Sequence, residues 1–72
     1  DLILIISLFI QHKRLNKSKL SRIVDFSEEE ADLMIKKLYN LGILTEISKE
    51  VYVINKYVEP FLHRVCIKIG VI

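Results

Sequence analysis

Residues 27–42, SEEEADLMIKKLYNLG, carry the signals for both ends of one helix. Ser27 is a preferred N-cap residue, and Glu30, three positions later, completes a capping box. The acidic residues that follow Ser27 lie in the first turn, where the helix dipole favours negative charge. Gly42 can adopt the left-handed conformation that ends a helix. The stretch therefore predicts a helix whose apolar face is formed by Ala31, Ile35, Leu38 and Leu41.

Two further helices are predicted ahead of this one. Residues 2–10 are almost continuously apolar, and no helix breaker follows before Leu15, so residues 2–15 are predicted to form a helix. A helix that is apolar on all sides has to be covered on more than one side. Asn16 is a good N-cap for a short second helix over residues 17–24. In that helix Leu20, Ile23 and Val24 are expected to face inward, and Lys17, Lys19 and Arg22 outward.

A β-hairpin and a last helix are predicted after Gly42. Residues 43–47 and 51–54 are rich in β-branched and aromatic side chains, and a short polar loop separates them. Residues 57–69 are predicted to form a helix with Pro60 in its first turn, since an interior proline costs about 3 kcal/mol. The predicted fold class is mainly α with a small β-hairpin, in the order α-α-α-β-β-α. The apolar face of the last helix is expected to comprise Val58, Phe61, Leu62, Val65, Cys66 and Ile69.

The length and composition indicate one small domain that spans residues 1–72. Of its 72 residues, 51% are hydrophobic, and a domain of this size buries only about 60% of the surface that its unfolded chain exposes. Part of the apolar surface is therefore expected to meet a second copy or another part of the same protein. The chain begins at Asp1 without an initiator methionine and ends at an apolar pair, so we interpret it as a piece of a longer protein.

Several classes of protein are not expected. Cys66 is the lone cysteine, which gives no disulfide framework and favours a reducing, cytoplasmic location. The apolar run of residues 2–10 is shorter than the roughly 20 residues that span a bilayer, so no membrane partner is predicted. His12, His63 and Cys66 are an incomplete metal-ligand set, so no metal or other cofactor is predicted. No catalytic triad or glycine-rich phosphate loop can be assembled, so the chain is not predicted to be an enzyme.

The order of helix, helix, turn, capped helix and hairpin is similar to that of the winged helix-turn-helix family. The local pattern resembles MarR- and ArsR-type transcriptional regulators, and the residues that carry it are Lys19, Leu20, Ser27, Ala31, Ile35, Leu38 and Leu41-Gly42-Ile43-Leu44. The resemblance covers about residues 1–54, with residues 57–69 as an added C-terminal helix. It implies binding of double-stranded DNA, with the helix over residues 27–42 in the major groove. It also implies a homodimer, or a contact with a parent-protein domain, through the helices over residues 2–15 and 57–69.

The charge distribution supplies candidate DNA contacts. A basic segment, residues 13–22, directly precedes an acidic one, residues 25–32, which gives the domain two electrostatically distinct sides. Phosphate contacts are expected from the basic segment, and the outward face of the third helix and the hairpin loop add further polar groups. The predicted nucleic-acid-binding residues are Lys13, Arg14, Lys17, Ser18, Lys19, Arg22, Lys36, Asn40 and Lys49.

An alternative function depends on Leu33, which lies off the apolar stripe of its helix. Leu33 is either an edge-of-core residue or an apolar spot ringed by acidic side chains, suited to a protein partner with a basic rim. The acidic start of this helix is unfavourable beside phosphates, which leaves open a protein-interaction or assembly module within a larger complex. Its contact residues would be Glu28, Glu29, Asp32 and Leu33.

Overall fold

The computed structural model describes residues 2–72 and confirms the predicted order of elements. Within these residues the chain forms four helices and one two-stranded antiparallel hairpin, in the order α-α-α-β-β-α. The elements are α1 (Leu2–His12), α2 (Lys17–Val24), α3 (Glu28–Asn40), β1 (Leu44–Ser48), β2 (Val51–Ile54) and α4 (Glu59–Ile69). None of the described helices has the length and apolar character required to cross a membrane.

All six elements contribute to one cluster of buried apolar side chains. Helix α1 supplies four of its twelve residues, more than any other element, and contacts both β2 and α4, as expected for a helix that is apolar on all sides. Helix α3 lies between α2 and β1 and contacts both. The buried apolar residues are Ile5, Ile6, Phe9, Ile10, Leu15, Leu20, Ala31, Ile35, Leu38, Leu44, Ile54 and Cys66.

Both predicted ends of α3 are confirmed. The Glu30 N–H donates to Ser27 Oγ at 3.1 Å, and the Ser27 N–H donates to Glu30 Oε1 at 3.2 Å, which is the reciprocal capping box. Gly42 has a φ of 80°, and the N–H of Ile43 donates to the carbonyl of Leu38 at 3.0 Å, which closes the helix with a Schellman motif. The prediction that Leu41 belongs to the apolar face is wrong. Leu41 is 63% exposed: α3 ends at Asn40, and Leu41 is the C-cap residue just before the left-handed Gly42.

The prediction that the first helix continues to Leu15 is also wrong. The helix ends at His12, and Lys13 takes a left-handed conformation with a φ of 69°. Leu15 instead pairs with Tyr52 of β2: its N–H donates to the Tyr52 carbonyl at 3.1 Å, and the Tyr52 N–H donates to the Leu15 carbonyl at 2.9 Å. Because Leu15 is buried, its backbone groups need partners, and the hairpin provides them.

Helix α2 begins as predicted but turns a different face inward. Asn16 Oδ1 accepts a hydrogen bond from the Lys19 N–H at 2.8 Å, so the N-cap is confirmed. Ile23 is 43% exposed, and the prediction that it faces the core is wrong. Leu20 and Ser21 are the buried residues of the helix, and a side chain two positions after Ser21 points to a different side. The Ser21 hydroxyl donates to the Ser18 carbonyl at 2.8 Å and is thereby satisfied.

The hairpin and α4 lie close to their predicted positions. Strand β2 has the predicted bounds, whereas β1 is displaced by one residue from the predicted 43–47 and carries an irregularity between Glu46 and Ser48. Pro60 lies in the first turn of α4, and Gly70 ends the helix with a φ of 95°.

The predicted apolar face of α4 is only partly buried within the domain. Cys66 is buried, but Phe61 and Ile69 are 57% and 58% exposed. Phe61 and Cys66 are five positions apart, which is about 140° around a helix. The neighbour that α4 mainly contacts is α1, so the domain covers only a narrow stripe of this helix.

Candidate functional site

Among the predicted nucleic-acid-binding residues, four cations in or just before α2 are free and two lysines are paired, while Asn40 and Lys49 lie apart from both groups. Lys13, Arg14, Lys19 and Arg22 are exposed, and within the described part of the chain no carboxylate forms an ion pair with them. We call these four residues the free cations. The guanidinium of Arg22 approaches the Ser18 carbonyl, with Nε at 3.5 Å from the oxygen.

Two of the free cations share a hollow at the start of α2. Arg14 and Lys19 line a space of about 190 Å³ together with Leu15, Asn16 and Val51. The segment that carries Arg14 is held in place by the pairing of Leu15 with Tyr52, and Lys19 follows the Asn16 cap. Two fixed backbone anchors therefore place two cationic residues on one hollow, an arrangement that suits an anionic group such as a phosphate.

The paired group lies between the start of α2, the middle of α3 and the hairpin. Lys36 Nζ is 3.1 Å from Asp32 Oδ2, and Lys17 Nζ is 3.8 Å from Glu50 Oε1. The hydrogen bond to Asp32, together with its negative charge, raises the pKa of Lys36. We call the space of about 180 Å³ at this place the charge-paired groove; its lining residues are Lys17, Asp32, Ile35, Lys36, Glu50 and Tyr52.

Two of the predicted DNA contacts thus interact directly with residues that were predicted to contact a protein. Lys36 was predicted to contact DNA and Asp32 a protein, yet they form an ion pair at the i,i+4 spacing of a helix. The Ser18 hydroxyl, also predicted to contact DNA, donates to Glu28 Oε2 at 3.1 Å. This hydrogen bond joins α2 to the acidic first turn of α3 and reduces the number of free polar groups on both.

The remaining candidates are exposed. Asn40 lies at the end of α3, Lys49 in the hairpin loop and Glu29 in the first turn of α3. Leu33 is 69% exposed, so the edge-of-core interpretation of this residue is wrong. Its role as a contact with a protein partner stays a prediction.

Two residues of this region were missed by the sequence interpretation. Tyr52 packs edge-to-face against Tyr39 of α3, with ring centroids 5.9 Å apart. The pKa of Tyr52 is raised, mainly by partial burial and to a smaller extent by the negative charge of Glu46. Glu50 reaches Lys17 from a backbone position with a φ of 61°. Lys17 and Glu50 are far apart in the sequence, and no local pattern connects them.

The possible metal ligands do not assemble. Cys66 is fully buried, and this burial raises the pKa of its thiol, whereas His63, three positions earlier, is exposed. Among residues 2–72, no group of three or more histidine, cysteine, aspartate or glutamate side chains is placed to hold a metal ion.

No family model, curated protein or solved structure matches this chain.

Proposed function

We propose that this chain is a winged helix-turn-helix domain that binds double-stranded DNA within a transcriptional regulator. Helices α2 and α3 pack against each other across a turn of three residues and form the helix-turn-helix, and the β1–β2 hairpin forms the wing. The order of the elements and the capped, glycine-terminated α3 support this assignment. The proposal includes a cytoplasmic location and no catalytic activity.

The observation that carries the proposal is the group of free cations. Lys13, Arg14, Lys19 and Arg22 project from the segment that leads into α3, and no carboxylate of residues 2–72 forms an ion pair with them. Cations in this position can bind phosphates and orient α3 over a groove, where Lys36 and Asn40 are exposed. Because phosphate contacts supply most of the affinity of non-specific binding, the affinity is expected to come mainly from α2 and the residues just before it.

The test is fluorescence anisotropy of the domain with a mixed-sequence duplex at several salt concentrations. Binding should weaken with salt, with a log–log slope of up to about −3.6 if all four free cations contact phosphates. Lys19→Glu combined with Arg22→Glu should abolish binding. The control is Lys56→Glu, which reverses a charge between β2 and α4, away from the free cations and from the outer face of α4, and should retain binding. Absence of binding at low salt, or a loss in Lys56→Glu as large as in the double variant, would contradict the proposal.

A second candidate function, a protein-interaction module within a larger complex, is favoured by Leu33. This side chain is 69% exposed and shares the surface of α3 with Glu29. An exposed apolar residue beside acidic groups suits a partner with an apolar patch and a basic rim. Leu33→Gln should disrupt a complex with such a partner and leave DNA binding unchanged, whereas the Lys19 and Arg22 reversals should do the opposite.

We also propose that the outer faces of α1 and α4 form a contact with a second copy or with another domain of the same protein. Leu4 of α1 is 49% exposed, and Phe61, Ile67 and Ile69 of α4 are each more than half exposed. Phe61 and Val65 also line a shallow hollow of about 400 Å³ on the surface of α4. Sedimentation equilibrium of the wild type and of Phe61→Asp tests the homodimer: the variant should be monomeric at concentrations where the wild type associates.

A further inference from the structure

The charge-paired groove contains two lysines that the proposed DNA contact would use, and each already has a carboxylate partner. On α3, Lys36 and Asp32 are joined at 3.1 Å, with side chains that are 63% and 33% exposed. The lysine thus extends into solvent while the carboxylate beneath it is better covered. A phosphate that approaches Lys36 therefore has to compete with an acceptor that is already in place.

The second pair connects α2 to the hairpin. Lys17 Nζ lies 3.8 Å from Glu50 Oε1, with side chains that are 38% and 61% exposed. Glu50 has a left-handed backbone conformation. Glycine adopts this conformation most readily, and asparagine adopts it more readily than glutamate does. The Glu50 N–H donates to Glu46 Oε2 at 2.9 Å, which holds the loop. The backbone conformation therefore does not explain a glutamate at position 50. The contribution of this side chain is a negative charge close to Lys17.

We propose that Asp32 and Glu50 act as internal competitors of DNA phosphate, which hold Lys36 and Lys17 and lower the affinity of this surface for DNA. The inference rests on the proposed function. Carboxylate and phosphate oxygens both accept hydrogen bonds from an ammonium group, so each lysine has to leave its carboxylate before it can bind a phosphate. The displaced carboxylate then repels the same phosphate.

This arrangement divides the basic surface into two classes. The free cations can contact any nearby DNA backbone, whereas Lys17 and Lys36 contribute only when a phosphate enters the charge-paired groove. Solvent-exposed ion pairs are weak and can be exchanged, so the restraint reduces binding without preventing it. The expected consequence is weaker binding to DNA of any sequence, because phosphate contacts do not depend on the bases.

The experiment compares the salt dependence of DNA binding by the wild type, Asp32→Asn and Glu50→Gln, again by fluorescence anisotropy. Each variant keeps the size of its side chain and removes the negative charge. Each should bind mixed-sequence DNA about two- to fivefold more tightly than the wild type, in keeping with the strength of one exposed ion pair. Each log–log slope should also become more negative by about 0.9, because one more lysine contacts a phosphate.

Two controls separate competition for lysine from a general effect of charge. Glu59→Gln at the start of α4 removes one negative charge outside the charge-paired groove and should leave the slope unchanged. In a Lys17→Gln background, Glu50→Gln should no longer make the slope steeper, because the lysine that it releases is absent. Likewise, in a Lys36→Gln background, Asp32→Asn should no longer make the slope steeper.

The possible outcomes are distinct. Slopes that are unchanged in Asp32→Asn and Glu50→Gln, while the wild type binds DNA, would overturn the inference and leave the proposed function intact. A steeper slope that persists without Lys17 or Lys36 would also overturn it, because the carboxylates would then act by direct repulsion. If neither the wild type nor these variants bind DNA at low salt, the proposed function itself fails, and the inference with it.

Discussion

Helices α3 and α4 contain similar numbers of apolar residues but bury these residues to very different extents. In α3, Ala31, Ile35 and Leu38 are each at most 1% exposed. In α4, Cys66 is fully buried, whereas Phe61 and Ile67 are 57% and 54% exposed. The difference follows from the neighbours, since α3 lies between α2 and β1 and α4 packs mainly on α1. An apolar face is buried only as far as other elements are available to cover it.

The largest expected effect is on the free energy of unfolding, and it compares a substitution on the buried face of α3 with one on the outer face of α4. Leu38→Ala should lower the free energy of unfolding by about 2–5 kcal/mol, because it removes a fully buried side chain and leaves a cavity. Phe61→Ala removes a larger side chain from an exposed position and should cost far less. Urea denaturation followed by circular dichroism measures both. Equal losses would mean that Phe61 is covered in solution by a partner or a second copy.

The second prediction concerns Cys66, the buried residue of α4. Burial raises its pKa above the ordinary value of 9.0, so the folded state keeps the thiol proton at a pH where the unfolded chain has lost it. The unfolded state then binds fewer protons than the folded state, and the free energy of unfolding falls as the pH rises above about 9, by at most about 1.4 kcal/mol per pH unit. Urea denaturation at several alkaline pH values measures this slope.

The control for this pH dependence is Cys66→Ala, which should be less stable at neutral pH but should lose less stability between pH 8 and pH 10. Tyr52 and Lys36, whose pKa values are also raised, should contribute to the remaining dependence at the upper end of this range. A slope that is identical with and without the thiol would show that Cys66 becomes exposed to solvent in the folded state.

The third prediction tests the different starts of the two helices. Helix α3 has a capping box at Ser27, whereas α4 has no side-chain hydrogen bond at its N-cap, Val58. Ser27→Ala should lower the free energy of unfolding by about 1 kcal/mol, because the Glu30 N–H loses its acceptor. Ser27→Thr keeps the hydroxyl and should retain most of the stability. A loss in Ser27→Thr as large as in Ser27→Ala would mean that the cap hydrogen bond is not the cause.

The smallest effect is expected on the outer face of α4. Ile67→Lys should change the free energy of unfolding by no more than about 0.5 kcal/mol, since the side chain is already more than half exposed. The substitution should also reduce any self-association through α4, which sedimentation equilibrium can measure. A large loss of stability in the monomer would contradict the exposed position of Ile67.

The sequence predicted those features that depend on neighbouring residues in the chain. The capping box of Ser27 and Glu30, the Asn16 cap, the helix end at Gly42 and the position of Pro60 are local signals, and all are confirmed. The wrong predictions concern the end of the first helix, at His12 rather than Leu15, and the exposure of particular side chains. Leu41 and Phe61 follow apolar spacing that fits a helix, but spacing does not specify which side of a helix its neighbours cover.

The features of the candidate site likewise divide into those that depend on neighbouring residues in the chain and those that depend on tertiary contacts. The sequence alone gives the basic segment, and the i,i+4 spacing of Asp32 and Lys36 indicates their ion pair. The pairing of Leu15 with Tyr52 and the approach of Glu50 to Lys17 join segments far apart in the chain, so only the tertiary structure decides them. Local hydrogen bonds and backbone preferences are encoded residue by residue. Which charges remain free depends on how the packed elements bring distant side chains together.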